Sequence, residues 1–333
     1  MISSLIRDLS DPASLPDRTK SVSVIQTHIS IVLVGDDYVY KIKKAVHFGF
    51  LDFLSLEKRA YYCQQELKLN KRLAEDVYIA VIPIRFDGKK FTMVGGDGDE
   101  IKEYAVKMKR IPEERLMKSM YEKGALTEDH LKGVAQVLAA FHSSALRNAD
   151  IDQFGAPARF KVNTDENFDQ VRKYVGVTIV SKEFTALETW TESFYKGNEK
   201  LFFDRMREGK IRDCHGDLHM EHICFTDPLS IIDCIEFNER FRYSDAVADI
   251  AFLLMDLEYH GGAPFAARLW RDYTQSAGGE AAESLLTFYK VYRAFVRGKV
   301  NSFQSDDATI GRDEREKARE RAKKYFKLAY SYI

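Results

Sequence analysis

The chain has 333 residues, 45% of them hydrophobic, enough to fill the core of one large domain or of two ordinary ones. Fifty basic against 51 acidic residues leave a net charge of -1, which excludes recruitment of nucleic acid or an anionic membrane surface by a global field. The four cysteines, at 63, 214, 224 and 234, form no C-x-x-C pair and are too few to staple the chain, so a reducing, cytoplasmic setting is expected. No basic-then-apolar leader opens the sequence, and the longest apolar run, 246–257, is broken by Asp249 and Asp256 well short of the ~20 residues a bilayer needs.

The first hundred or so residues begin with β-branched, alternating runs. "SVSVIQTHISIVLV" and "DDYVYKIKK" are separated by Gly35-Asp36-Asp37, which reads as a hairpin turn. A helix follows over roughly 55–75, with Ser55 as N-cap and an apolar stripe at Leu56, Ala60, Cys63, Leu67 and Ala74. "VYIAVIPIRF", "KKFTMVGG" and "EYAVKMKRI" supply three more strands, with Asp87-Gly88 at the first turn between them. Five strands and one inserted helix are therefore expected.

After Pro112 the period becomes helical. "TEDHLKGVAQVLAAFHSSAL" carries Leu131, Val134, Val137, Leu138, Phe141 and Leu146 near one face, and 181–207 is rich in aromatic residues. Strand-like runs return at "HICF" and "LSIIDCIEF"; helices are expected over 244–260, 281–302 and 312–333, with 303–311 as a mobile loop. The last helix has eight Lys/Arg and four Asp/Glu between 312 and 327, but Ala318, Ala322, Tyr325, Ala329 and Tyr332 line one side. It reads as a packed helix with a solvated charged face.

Phosphoryl transfer needs a cation on the donor phosphates, ligands for a charge-neutralising metal, and a carboxylate that orients the acceptor hydroxyl. The segment "HGDLHMEHI" (215–223) places Asp217 in a loop before a short strand pair, and Asp233 follows sixteen residues later at the end of "LSII". One carboxylate before a hairpin and one after it can be aimed into one cleft, although each alone also suits a turn or a strand end. Cys214, His215, His219, His222 and Cys224 crowd together in a way that invites a zinc site. Gly216 opposes the helix that would align His215 with His219, and the cysteines lack paired spacing.

"HGDLHMEHI", "IIDCIEF" and "RYSDAVADIAFLL" resemble the H-G-D loop, the metal-binding Asp and the following Asp-helix of the aminoglycoside phosphotransferase and choline-kinase-like superfamily. "THISIVLVGDDYVYKIKKAVHFGFLDF" and "CQQELKLNKRLAEDVYIAVIPI" are closer to the kinase-like half of bifunctional aminoglycoside phosphotransferase/ATP-binding proteins. No G-x-x-x-x-G-K-[ST] occurs, so a P-loop ATPase is expected, if at all, as a separate partner.

The resemblance implies an α+β, two-lobed protein-kinase-like fold. A small five-stranded antiparallel N-lobe (1–110) would bind ATP or GTP, and a mainly helical C-lobe (111–333) would carry the catalytic loop and a small-molecule hydroxyl acceptor. A protein acceptor and a non-catalytic nucleotide sensor are the alternatives. By resemblance Asp217 is the catalytic base, Asp233 the ligand of Mg²⁺ or Mn²⁺, and Lys41 the phosphate lysine, with Lys43 and Lys44 as competitors. Glu66 is its helix partner, preferred to Glu57 because a charge among Tyr62, Leu69 and Leu73 needs a counter-ion.

His215 and Asp249 are implied to steady the loop, and Met108 to meet the nucleotide at a hinge around 107–112. Two departures stand out. "QTHIS" replaces a glycine-rich loop, so amides of 27–30 and the Ser30 hydroxyl are expected on the phosphates. His222 stands where an asparagine would ligate metal, and its nitrogen suits Mn²⁺ better than Mg²⁺. For the acceptor, Glu236, Asp256 and Glu258 suit a cation, whereas Arg240 and Arg242 suit an anion.

Overall fold

A computed structural model describes residues 2–95, 99–279, 282–308 and 310–333. The chain begins with α1 (Ile2–Leu9), β1 (Ser23–Gln26), β2 (Ser30–Val34), β3 (Tyr38–Lys43), α2 (Leu56–Asn70), β4 (Tyr78–Phe86), β5 (Phe91–Thr92), β6 (Glu100–Lys109) and α3 (Met117–Glu122). There follow α4 (Glu128–Ser144), α5 (Ala149–Asp152), α6 (Pro157–Val171), α7 (Ser181–Arg207), β7 (Ile211–Asp213), β8 (Ile223–Cys224), β9 (Ser230–Ile231), α8 (Glu239–Arg242), β10 (Tyr243–Asp245), α9 (Ala246–Tyr259), α10 (Ala263–Ser276), α11 (Glu283–Asp306) and α12 (Arg312–Ser331). No described helix is long and apolar enough to cross a membrane.

These elements make two compact units, Met1–Ala125 with Glu221–Glu239, and Leu126–Met220 with Arg240–Ile333. The expected border at 110 thus differs from the observed division at 125. The segment bearing Asp233 belongs with the N-terminal sheet, because Ile231 N–H bonds to Leu73 O (3.0 Å) and Phe225 N–H to Arg115 O (2.9 Å).

In the first unit the alternating runs form an antiparallel sheet of six strands, ordered β1-β2-β3-β6-β4-β5. The sixth strand arises because "SVSVIQTHISIVLV" is itself a hairpin, reversing at Thr27 to Ile29 so that β1 pairs with β2. Period-two alternation then sorts the side chains. Ile31, Leu33, Tyr40 and Ile42 join Leu5 and Leu9 of α1 in one buried cluster. Lys41 and Lys43 lie on the opposite face, which α2 covers through Cys63, packed with Tyr78 and Val106.

Helix α2 buries Cys63 of the expected apolar stripe, with Leu67 packed beside it, but also buries charge. Its buried positions are Arg59, Cys63, Glu66, Leu69 and Asn70, and it ends at Asn70 instead of 75. Charges are tolerated inside because each has a partner. The Arg59 guanidinium donates through Nε to both Glu103 oxygens (2.9 and 2.8 Å) and through Nη1 to Phe53 O and Leu54 O (both 2.8 Å).

The second unit is helical apart from the β7–β10 pair. Its core joins Phe168, Phe184, Leu187, Phe252, Met255, Phe295, Tyr325 and Phe326. The stripe expected on the last helix is buried at Ala318, Ala322, Tyr325 and Ala329. Gly298 lets α11 and α12 approach: a Cβ there would lie 2.6 Å from the Phe326 ring. Helix α11 also runs to Asp306, shortening the expected 303–311 loop; Thr309 within it lies outside the described residues.

Candidate functional site

In the first unit, β3 and α2 bring charge to one point. Lys41 Nζ lies 2.9 Å from Glu66 Oε1 and 2.5 Å from Asp233 Oδ1. Lys43 Nζ lies 2.6 Å from Glu66 Oε2 and also pairs with Glu236. The two lysines differ in exposure: the Lys41 side chain is 16% exposed and that of Lys43 only 1%. The Lys44 ammonium is committed to Thr27 O (2.7 Å). Burial pushes the Glu66 carboxyl upward, but the Lys41 and Lys43 ammonium groups outweigh it and hold it below the usual carboxylate range. Glu57 is exposed in the first turn of α2.

Asp233 adopts a left-handed backbone, φ 62°, which costs a non-glycine residue and must be held from outside. Its N–H donates to the Tyr78 hydroxyl (3.1 Å), and the next N–H, of Cys234, donates to Asn70 Oδ1 (2.8 Å). Strand β4 and helix α2 thus pin the turn that presents the carboxylate, whose side chain is 41% exposed. His222 Nε2 lies 3.6 Å from Asp233 Oδ2. A divalent cation fits here: the carboxylate already carries an ammonium at 2.5 Å, and oxygen and nitrogen donors stand side by side. Met108 pairs with Val39 and Tyr78 in the sheet register and is partly buried beside the Cys63 cluster.

The expected phosphate loop is corrected. Ser30 is 2% exposed, its hydroxyl directed inside, and its N–H donates to Thr27 Oγ1 (3.0 Å). Ile29 N–H donates to the same oxygen (3.3 Å), and Thr27 N–H to Ser30 O (2.9 Å). A threonine-centred turn therefore consumes the amides of 27, 29 and 30, and Ser30 acts in the hairpin fold.

In the second unit, β7 leads into the loop 214–220. Asp249, fully buried in α9, accepts His215 N–H (2.6 Å) and Gly216 N–H (2.8 Å), and His142 Nε2 lies 3.4 Å away. Burial raises its carboxyl, yet the His142 hydrogen bond and the charges of His142, His215 and Arg293 prevail and lower it to about 2. Gly216 has φ 88°, a conformation glycine adopts without strain, and its carbonyl accepts Arg293 Nη1 (2.8 Å). Asp217 N–H donates to His215 Nδ1 (3.3 Å), and its Oδ2 lies 3.6 Å from His219 Nε2, with the side chain 35% exposed. Asp256 accepts Met220 N–H (3.0 Å). Two buried carboxylates one helix face apart thus hold both ends of the loop.

Lys43, Glu236, Arg293 and Asp256 were not assigned these supporting parts by their sequence pattern; a charged residue inside an apolar run was the available signal for Asp256. The five side chains expected to select the acceptor are all engaged within their own units. Glu236 holds Lys43, Asp256 the loop, Glu258 pairs with Lys290 (2.5 Å), Arg240 grips Glu166 through two bonds (2.8 and 2.6 Å), and Arg242 pairs with Asp213. Burial pushes the Cys214 thiol well above its ordinary value and the Cys224 thiol up to about 11.

An antiparallel sheet with one covering helix, followed by a mainly helical unit that holds an H-G-D loop, defines the kinase-like α+β fold. The chain is similar in this to the crystal structure of a choline/ethanolamine kinase family protein from Mesorhizobium loti (13% identity, TM-score 0.55, covering 100% of this chain and 99% of that one). It is likewise similar to choline kinase from Streptococcus pneumoniae (15% identity, TM-score 0.52, covering 98% and 99%). At these identities the likeness is one of fold.

The chain belongs to the phosphotransferase enzyme family, whose model matches residues 57–285. Uncharacterized proteins of Mycobacterium tuberculosis and Mycobacterium bovis are each 33% identical over 280 residues, 84% of this chain and 54% of theirs. The chain spans about half the length of these curated relatives.

Proposed function

We propose that the chain transfers the γ-phosphoryl group of ATP, with GTP as the alternative donor, to a hydroxyl of a small molecule. The observation that carries this reading is the Lys41 ammonium between Glu66 and Asp233, a cation held by one buried and one accessible carboxylate. Lys41 would meet the donor phosphates, with Glu66 fixing its direction, and Met108 would border the nucleotide. Asp233, with His222, would hold Mg²⁺ or Mn²⁺, which when bound neutralises charge on the phosphates. Asp217 would accept a hydrogen bond from the acceptor hydroxyl, align its oxygen for in-line attack and take its proton. His219 Nε2 lies beside the Asp217 carboxylate, while His215 and Asp249 keep the loop in its shape.

Calorimetric titration with ATP and GTP, each with Mg²⁺ or Mn²⁺, tests the donor half of the reading. Metal-dependent binding of one nucleotide is expected; absence of binding by both removes the reading. The imidazole beside Asp233 favours a second one, in which the chain binds nucleotide without transferring phosphate. As a metal ligand, His222 sets metal preference. Exchanging it for asparagine is expected to move the Mg²⁺/Mn²⁺ affinity ratio for the nucleotide complex about tenfold toward Mg²⁺. An unchanged ratio takes His222 out of the ligand set.

A further inference from the structure

One lysine is enough to contact phosphates and pair with a helix glutamate, yet β3 directs two ammonium groups to the same carboxylate, Lys41 to Glu66 Oε1 and Lys43 to Glu66 Oε2. Lys43 is too deeply buried to reach a ligand, with its side chain 1% exposed and its ammonium 5.0 Å from the centre of the Phe53 ring. A buried ion pair is often no more stable than well-packed apolar residues of similar volume, so stability alone does not account for it. Its second partner does. Glu236, 6% exposed at its side chain, lies three residues beyond Asp233 on the same segment. Lys43 therefore joins the helix carrying Glu66 to the segment carrying Asp233 at one buried point, while Asn70 and Tyr78 hold that segment at Cys234 and Asp233.

The reason for such a joint lies in what Lys41 must do. Lys41 sits on Asp233 at 2.5 Å. For Lys41 to meet phosphates while Asp233 meets a divalent cation, that contact has to open, leaving Lys41 on Glu66 and the Asp233 turn on its backbone bonds to Tyr78 and Asn70. Glu66 and the 233–236 segment then need an anchor that does not take part in the exchange. We propose that Lys43 is this anchor: a positioning residue that holds Glu66 and Glu236 fixed while the Lys41–Asp233 contact gives way to a metal–nucleotide complex. The proposal rests on the phosphotransferase reading. It goes beyond that reading in assigning a role to a lysine that touches no ligand, and in making the coupling between metal and nucleotide depend on it.

The test is calorimetric titration of ATP with and without Mg²⁺ on the wild-type chain, Lys43→Met, Glu236→Gln and the double variant, with thermal unfolding recorded on the same samples. Methionine keeps much of the lysine's length, and glutamine keeps the size of Glu236. Lys43→Met is expected to weaken ATP binding in Mg²⁺ by about tenfold or more and metal-free ATP binding by less than about threefold, a loss of coupling between the two ligands. Glu236→Gln, which leaves Lys43 on Glu66, is expected to lose part of that coupling and gives the same reading if Lys43→Met does not fold.

The double variant removes the Glu236 charge that Lys43→Met strands, while Glu66 keeps Lys41. It is expected to regain thermal stability relative to Lys43→Met without regaining the coupling. A folded double variant and a folded Glu236→Gln variant that both keep wild-type coupling overturn the proposal and leave the phosphotransferase reading intact. A wild-type chain whose ATP binding is the same with and without Mg²⁺ overturns the reading and the proposal together.

Discussion

Replacing Asp217 with asparagine is expected to lower phosphoryl transfer by about 10²- to 10⁴-fold, the range a positioned general base supplies. The amide keeps the size of the carboxylate, so the loop that Asp249 and Asp256 hold is expected to stay folded. Lys41, Glu66 and Asp233 are untouched, and the affinity for metal–ATP is expected to change by less than about threefold. ADP release in the presence of acceptor, measured beside nucleotide binding, separates the two effects. A variant with undiminished turnover would remove Asp217 from catalysis; one that loses nucleotide binding as well would make its role structural.

The second large effect falls on stability. Asp249 has no exposure and satisfies two loop amides, His142 and Arg293. Asp249→Ala strands those donors and the buried Arg293 charge, and is expected to cost about 3 to 5 kcal/mol in chemical denaturation at neutral pH. Its pH dependence has a definite sign. The folded carboxyl is depressed from 3.8 to about 2, so its contribution is complete above pH 4 and is lost as pH falls toward 2. That linkage amounts to about 2 kcal/mol. The stability difference between wild type and Asp249→Asn is therefore expected to shrink between pH 4 and pH 2. A difference that stays constant through that window would show that Asp249 does not titrate as described.

The elements that the sequence announces are those whose physics is local. Alternation around Lys41 places it on one face of β3 with Lys43, and a charge at 66 among apolar neighbours correctly calls for a counter-ion. Other features depend on partners far along the chain. The Lys41–Asp233 contact spans 192 positions and Lys43–Glu236 spans 193, so no window of sequence contains either pair. The apolar stripe assigned to α2 is incomplete for the same reason: Cys63 and Ala74 are buried as it expects, but Arg59 and Glu66 also point inward because Glu103 and two lysines await them. Ser30 is a case of local chemistry read too simply. Thr27, three residues earlier, closes the turn with its own hydroxyl and leaves Ser30 to the interior. The five acceptor candidates share this difficulty, since a formal charge in a sequence does not reveal which partner already engages it.

Phosphoryl transfer leaves a label that can be followed into product. The wild-type chain is incubated with γ-labelled ATP, Mg²⁺ or Mn²⁺ and a library of hydroxyl metabolites and aminoglycosides, with Asp217→Asn in parallel, and the mixture is read for labelled phosphomonoesters by mass spectrometry. At least one labelled monoester is expected from the wild-type chain under one of the two metals, reduced at least about a hundredfold in the variant. Tight nucleotide binding with no labelled product under either metal would contradict it and leave a nucleotide-binding chain that does not transfer phosphate.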